Sequence, residues 1–196
     1  MKFTTFLLAA IVALATLPAV AATRVTDPDL PRELPAQGPV SVSWADPAQF
    51  TDIRYSPNKW EAERGTWVQD LAQYLRKQAS KALQPGQTLQ VHITDIQRAG
   101  EYEPWHGPSA DHIRIMKDIY PPRLTLEFTL RDADGRIVRQ GQRKLIDMNY
   151  LTGARPMDND PLRYEKRMID QWIHREFRDQ APTATAAGEA ERAPAR

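Results

Sequence analysis

Glu101, Glu103, His106, Asp111 and His112 stand close together in one short stretch of the chain. Imidazole nitrogens and carboxylate oxygens are the ligands that zinc and similar ions prefer. The spacing argues against such a centre. His106 and His112 are separated by Gly107 and Pro108 among others, an interval found in no zinc template. Ser109, Asp111 and His112 supply the residue types of a hydrolase triad, but a triad needs the base bonded to both nucleophile and orienter. Residues this near in sequence rarely reach that geometry, and no Gly-x-Ser-x-Gly turn presents a nucleophile. A metal-dependent hydrolase using the His106 and His112 loop is therefore the alternative reading. The leading reading is non-catalytic, with no cofactor, no metal and no catalytic residue assigned.

The same stretch is rich in aromatic side chains. Tyr102, Trp105 and Tyr120 alternate with Pro104, Pro121 and Pro122. Aromatic rings in loops offer large, rigid contact area at little entropic cost, which suits recognition, although they also seal the ends of sheets. The candidate partner-binding surface is thus Tyr102, Trp105, His106, His112 and Tyr120. Its expected partner is a protein or a ligand of the cell envelope.

The beginning of the chain bears on where such a surface would work. Lys2 precedes an apolar run from Phe3 to Leu17, followed by Pro18 and Ala19-Val20-Ala21-Ala22. A basic start, a short apolar core and small residues at an A-x-A site form a secretory signal, here expected to be cleaved after Ala21. The run is shorter than the roughly 20 residues a spanning helix needs, so no membrane span is expected after cleavage. The expected location is the periplasm. Removing the leader takes away Lys2 alone among the charges, leaving 25 basic side chains against 25 acidic ones. A neutral chain lacks the basic face that supplies most of the affinity for phosphate backbones, and a nucleic-acid partner is not expected. The chain has no cysteine, which removes disulfides and thiolate chemistry and leaves burial to hold the core.

The elements that position the loop follow from periodicity. Residues 22–39 carry several prolines and read as an extended, mobile lead-in, while 179–196 have no large apolar residue and read as a disordered tail. Between them lies one domain, 40–178. Val40, Val42 and Trp44 alternate as in a half-buried strand. Trp60, Trp67, Leu71, Leu75, Ala79 and Ala82 form one stripe of a helix from about Asn58 to Leu83, capped by Asn58 and interrupted by Gly65. Thr88 to Ile96 alternates again. His112 to Ile119 is expected to turn Ile113 and Ile115 inward. Leu124, Leu126, Phe128 and Leu130 face one way, Asp132 to Gly135 makes a hairpin, and Arg136 to Asp147 returns antiparallel. Asp160 then caps a helix with Pro161 at its first position and Leu162, Ile169, Trp172, Ile173 and Phe177 on its inner stripe. Arg163, Glu165, Lys166, Arg167 and Asp170 read as its solvated face, with Lys166 and Asp170 spaced to pair. The order implies an α+β fold: a mainly antiparallel, possibly mixed sheet of four to five strands with two helices packed on one face.

Several blocks, Lys117 to Arg123, Asp132 to Gly135, Lys144 to Leu151 and Tyr164 to Ile169, resemble an uncharacterised bacterial family catalogued as domain of unknown function 3016. The likeness runs from about Val40 to Phe177. It implies a single exported domain, mostly of Gram-negative bacteria, and offers no catalytic residue to carry over.

Overall fold

Residues 23–152 and 159–178 are described by the computed structural model. The expected leader and tail lie outside them. Strand β1 (Val40–Trp44) is followed by the short helices α1 (Thr51–Arg54) and α2 (Lys59–Glu63) and by the long helix α3 (Trp67–Ala82). Strand β2 (Thr88–Gln97) leads into a loop holding a two-residue ladder, β3 (Glu101–Tyr102) with β4 (Arg114–Ile115). Strands β5 (Arg123–Arg131) and β6 (Ile137–Ile146) form the hairpin, and α4 (Arg163–Ile173) runs into a π-helical turn, His174–Arg178.

The main sheet has the order β1-β2-β5-β6. Strands β1 and β2 are parallel, with α3 in the connection between them, while the other pairs are antiparallel. The fold is α+β with a mixed sheet, as the element order implied. Alternation buries Val42, Val91, Leu126 and Phe128 on one face, where α3 and α4 supply Leu71, Leu75, Ile169 and Trp172. Phe128 meets Trp172 edge to face at 5.8 Å, and Phe177 packs against both. Aromatic pairs in this geometry add to what their buried area contributes. Among the described residues, no helix is long and apolar enough to cross a membrane.

Five expectations are corrected. Asn58 caps a helix, its side chain accepting from the Glu61 amide, and the helix is interrupted at Gly65 as expected, at a φ of 89° that only glycine adopts readily. Trp60 leaves the stripe in consequence and is exposed. The last helix begins at Arg163, and Asp160 steadies the turn before it by accepting from the Leu162 amide and from Lys166. Lys166 is thereby drawn from Asp170, which instead accepts from the Tyr74 hydroxyl. Glu165 is buried, so the charged face is not wholly solvated. Ile113 points outward, because β3–β4 is too short to carry the alternation that far.

The segment before β1 turns twice between Arg24 and Leu30 and packs on the body. The Leu34 amide donates to the Val42 carbonyl and the Trp44 amide to the Arg32 carbonyl, so residues 32–34 cover the outer edge of β1. Val25 and Leu34 are buried in the main core. Leu34→Ala is expected to lower unfolding free energy by about 2–4 kcal/mol in urea titration. A change near zero would show that the segment does not pack.

Candidate functional site

Strand direction gathers the loops at one end of the sheet. The parallel strands β1 and β2 leave there, β5 enters, β6 ends, and α4 begins. Segments 45–64, 98–122 and 147–152 therefore share that end, and three buried carboxylates fasten the middle one: Asp52 to the first, Glu103 to itself and Glu165 to α4.

The first is Asp52. Its carboxylate accepts from the Arg98 backbone amide at 2.8 Å, from Arg98 Nε and Nη2 at 2.9 and 2.7 Å, and from both terminal nitrogens of Arg114 at 3.1 Å. Burial would lift this carboxyl, but the two guanidinium groups together hold it below the usual carboxylate range. Each guanidinium also lies over an aromatic ring, Arg98 over Trp67 at 4.2 Å and Arg114 over Tyr102 at 4.6 Å. Planar, delocalised guanidinium suits this combined stacking and forked bonding, where lysine would serve only one of the two.

The second is Glu103, wholly buried in its side chain. It accepts from Lys117 Nζ at 2.6 and 2.8 Å, from the Tyr120 hydroxyl at 2.8 Å and pairs with His106 Nε2 at 2.8 Å. Bonding to Lys117, joined by Tyr120 and His106, outweighs desolvation and brings its carboxyl down to about 2. The third is Glu165. One oxygen accepts from the Ala99 amide at 2.6 Å, and the other, Oε2, has no hydrogen-bond partner among the described residues. Burial pushes this carboxyl up. Beneath the loop, Tyr150 donates to the Lys117 carbonyl at 2.6 Å and stacks edge to face on Tyr164.

The five residues singled out from sequence are thus divided. His106 and Tyr120 meet on Glu103, and Trp105 stands beside His106 with ring centroids 6.2 Å apart and 66 % of its surface exposed. Tyr102 is buried under Arg114 and offers little to a partner. His112 is exposed and lies 3.6 Å from Asp111, apart from the Glu103 cluster. Among the described residues, no three histidine, aspartate or glutamate side chains are placed to hold a metal ion. What the arrangement does chemically is position: Asp52 and Glu103 are spent on cations that fasten the loop, and Glu165 is sealed away from solvent.

Around this fastened loop, apolar side chains face outward. Ile119 is 67 % exposed, Met148 59 %, and Tyr55, Trp60, Ile113 and Leu151 are exposed as well. Asn58 Nδ2 donates to the Asp111 carbonyl at 3.0 Å, which joins the segment of Tyr55 and Trp60 to that of Ile113. Sequence reasoning missed Asp52, Arg98, Arg114 and Lys117. It also missed Glu165, although this residue sits three after Leu162 and four before Ile169, on the apolar stripe.

A mixed sheet with one helical layer, its loops pinned at one end by buried ion pairs, defines an α+β domain with no assigned chemistry. The family model described as "Protein of unknown function (DUF3016)" matches residues 38–175, most of the chain, and the chain belongs to that family. No curated protein and no solved structure matches it.

Two pH responses follow. The charge on Glu103 supports the loop fully above the ordinary carboxylate value of about 4.3, and that support is lost as pH falls toward about 2. Trp105 and Tyr120 side-chain NMR signals should shift together in that window, and titration above it would contradict the cluster. For Glu165 the sign is opposite. A raised carboxyl favours the protonated fold, so stability falls as pH rises from about 4.3 through the raised value. Glu165→Gln should remove that slope and gain about 1 kcal/mol at neutral pH, because the amide needs less solvation than an unpartnered carboxylate oxygen. An unchanged pH profile of urea midpoints would refute this.

Proposed function

We propose that the protein is an exported, non-catalytic binding module of the bacterial envelope, and that its partner-binding surface is the loop end of the sheet. The observation that carries this reading is the contrast between a rigid base and an apolar rim. Trp105 and Ile119 are held outward on a segment fixed by Asp52 and Glu103, and Met148 on one fixed by the Asp147–Arg167 pair and by Tyr150, which donates to the Lys117 carbonyl. Keeping such side chains in water lowers the hydrophobic contribution to folding, and clustered exposed apolar groups mark interaction sites. Preorganisation adds to the case, since a loop already ordered gives up little entropy on binding. The leader read from Lys2 to Ala22 supports export and release by cleavage after Ala21.

The reading is narrower than the five-residue surface first drawn. It keeps Trp105, gives His106 and Tyr120 the task of holding the loop through Glu103, leaves Tyr102 in the core and sets His112 aside. It adds Ile119 and Met148.

A photoreactive amino acid placed in turn at 105, 119 and 148, in cells of a Gram-negative host, tests it. Adducts are expected from these positions and not from Lys81, exposed at the far end of α3. The same mass spectra are expected to give chains starting at Ala22. Equal labelling from position 81, or no adducts at all, would sink the reading, and an intact Met1 would sink its export half.

A further inference from the structure

The two edges of the main sheet are treated differently. Strand β1 has its outer edge covered by residues 32–34 of its own chain, whereas among the described residues no strand pairs with the outer edge of β6. An uncovered edge presents a row of unpaired amides and carbonyls, the template for strand addition. At ten residues, β6 is long enough to hold an added strand in one register.

The side chains of β6 are laid out to meet a second copy of themselves. Odd-numbered positions from Arg139 to Leu145 stand opposite the buried side chains of β5, whereas even-numbered ones from Val138 to Ile146 are exposed on the open face. Two such strands running antiparallel about a twofold axis keep their faces matched only if one residue faces its own copy, because side chains alternate. Only the register centred on Gln142 brings the exposed Val138 and Ile146 together, once on each side of the axis. Centred on Gly141, the pairing turns Val138 against Lys144 and Arg139 against Arg143. Centred on Gln140, it leaves Ile146 uncovered, and centred on Arg143 it sets that residue against itself. With Gln142 at the centre no cation directly faces a cation, an arrangement that would be destabilising. Lys144 then faces Gln140, and Arg143 faces Gly141 while keeping its two 2.9 Å bonds to Glu176 of its own chain. The two Gln142 amides, each donor and acceptor, meet on the axis.

We propose that two copies of this chain pair antiparallel along β6, Gln142 against Gln142, and join their main sheets into one. This goes beyond the loop surface and does not depend on it. Main-chain hydrogen bonds supply the pairing, and the contact of Val138 with Ile146 supplies the register.

The chain has no cysteine, so an introduced one reports alone. In the chain from Ala22 to Arg196, Gln142→Cys is expected to form a disulfide-linked dimer under mild oxidation. Gln140→Cys and Lys144→Cys are each expected to stay unlinked by themselves and to link when mixed. Each lies about 13 Å from its own copy in this register, roughly twice the reach of a disulfide. In sedimentation the unaltered chain is expected to dimerise in the high micromolar range, as a short edge contact does. Val138→Lys with Ile146→Lys should weaken the dimer at least about tenfold, and Val138→Lys with Ile146→Glu should restore it, with similar unfolding midpoints in both. The proposal fails if the unaltered chain sediments as a monomer at millimolar concentration, or if the paired lysines leave dimerisation unchanged. It also fails if Gln140→Cys alone links as readily as Gln142→Cys.

Discussion

The loop end depends on one buried charge. Asp52 collects three donors from Arg98 and two from Arg114, and so joins α1 to the end of β2 and to β4. Taking three ionised groups out of water is costly, and their mutual attraction repays this only when the bonds are complete. The net gain in stability is accordingly small. Its value lies in geometry, because any other path for residues 98–114 leaves a charge buried without a partner, a cost of about 3–5 kcal/mol.

This divides the molecule into two regimes. The body is held by burial, through alternating strands and two helical stripes meeting around Phe128 and Trp172. The loop end has only short regular elements among the described residues, chiefly α1, α2 and the β3–β4 ladder, and is held largely by charge: Asp52 with two arginines, Glu103 with Lys117, and Asp147 with Arg167 at 2.7 Å. Apolar side chains released from holding the loop are then free to face outward, as Trp105 and Ile119 do.

What could be read in the sequence follows the same division. Period two in β5 and the stripe of α4 were legible because burial repeats along the chain, and Leu124, Leu126, Phe128 and Leu130 are all buried as expected. Gly135 marked the hairpin and takes positive φ there. The loop end was not legible, since ion pairs join residues far apart with no period to betray them. Asp52 and Arg114 are 62 positions apart, and nothing near either one names the other. The histidines drew attention by residue type, yet His106 serves Glu103 and His112 stands aside. The packing of the lead-in was not legible because prolines break periodicity without preventing packing, and Val25 and Leu34 were too sparse to form a pattern.

That proline-rich strap gives the fold a boundary earlier than family similarity suggests. The shared region opens at residue 38, whereas among the described residues backbone bonding to the body reaches back to Thr23, whose carbonyl takes the amide of Gly65. A version trimmed to the shared region would start with β1 bare along its outer side and with two holes in the core where Val25 and Leu34 had been. Such a molecule would offer β1 to other chains as an open edge, which residues 32–34 otherwise occupy, so the strap guards the sheet against unwanted partners.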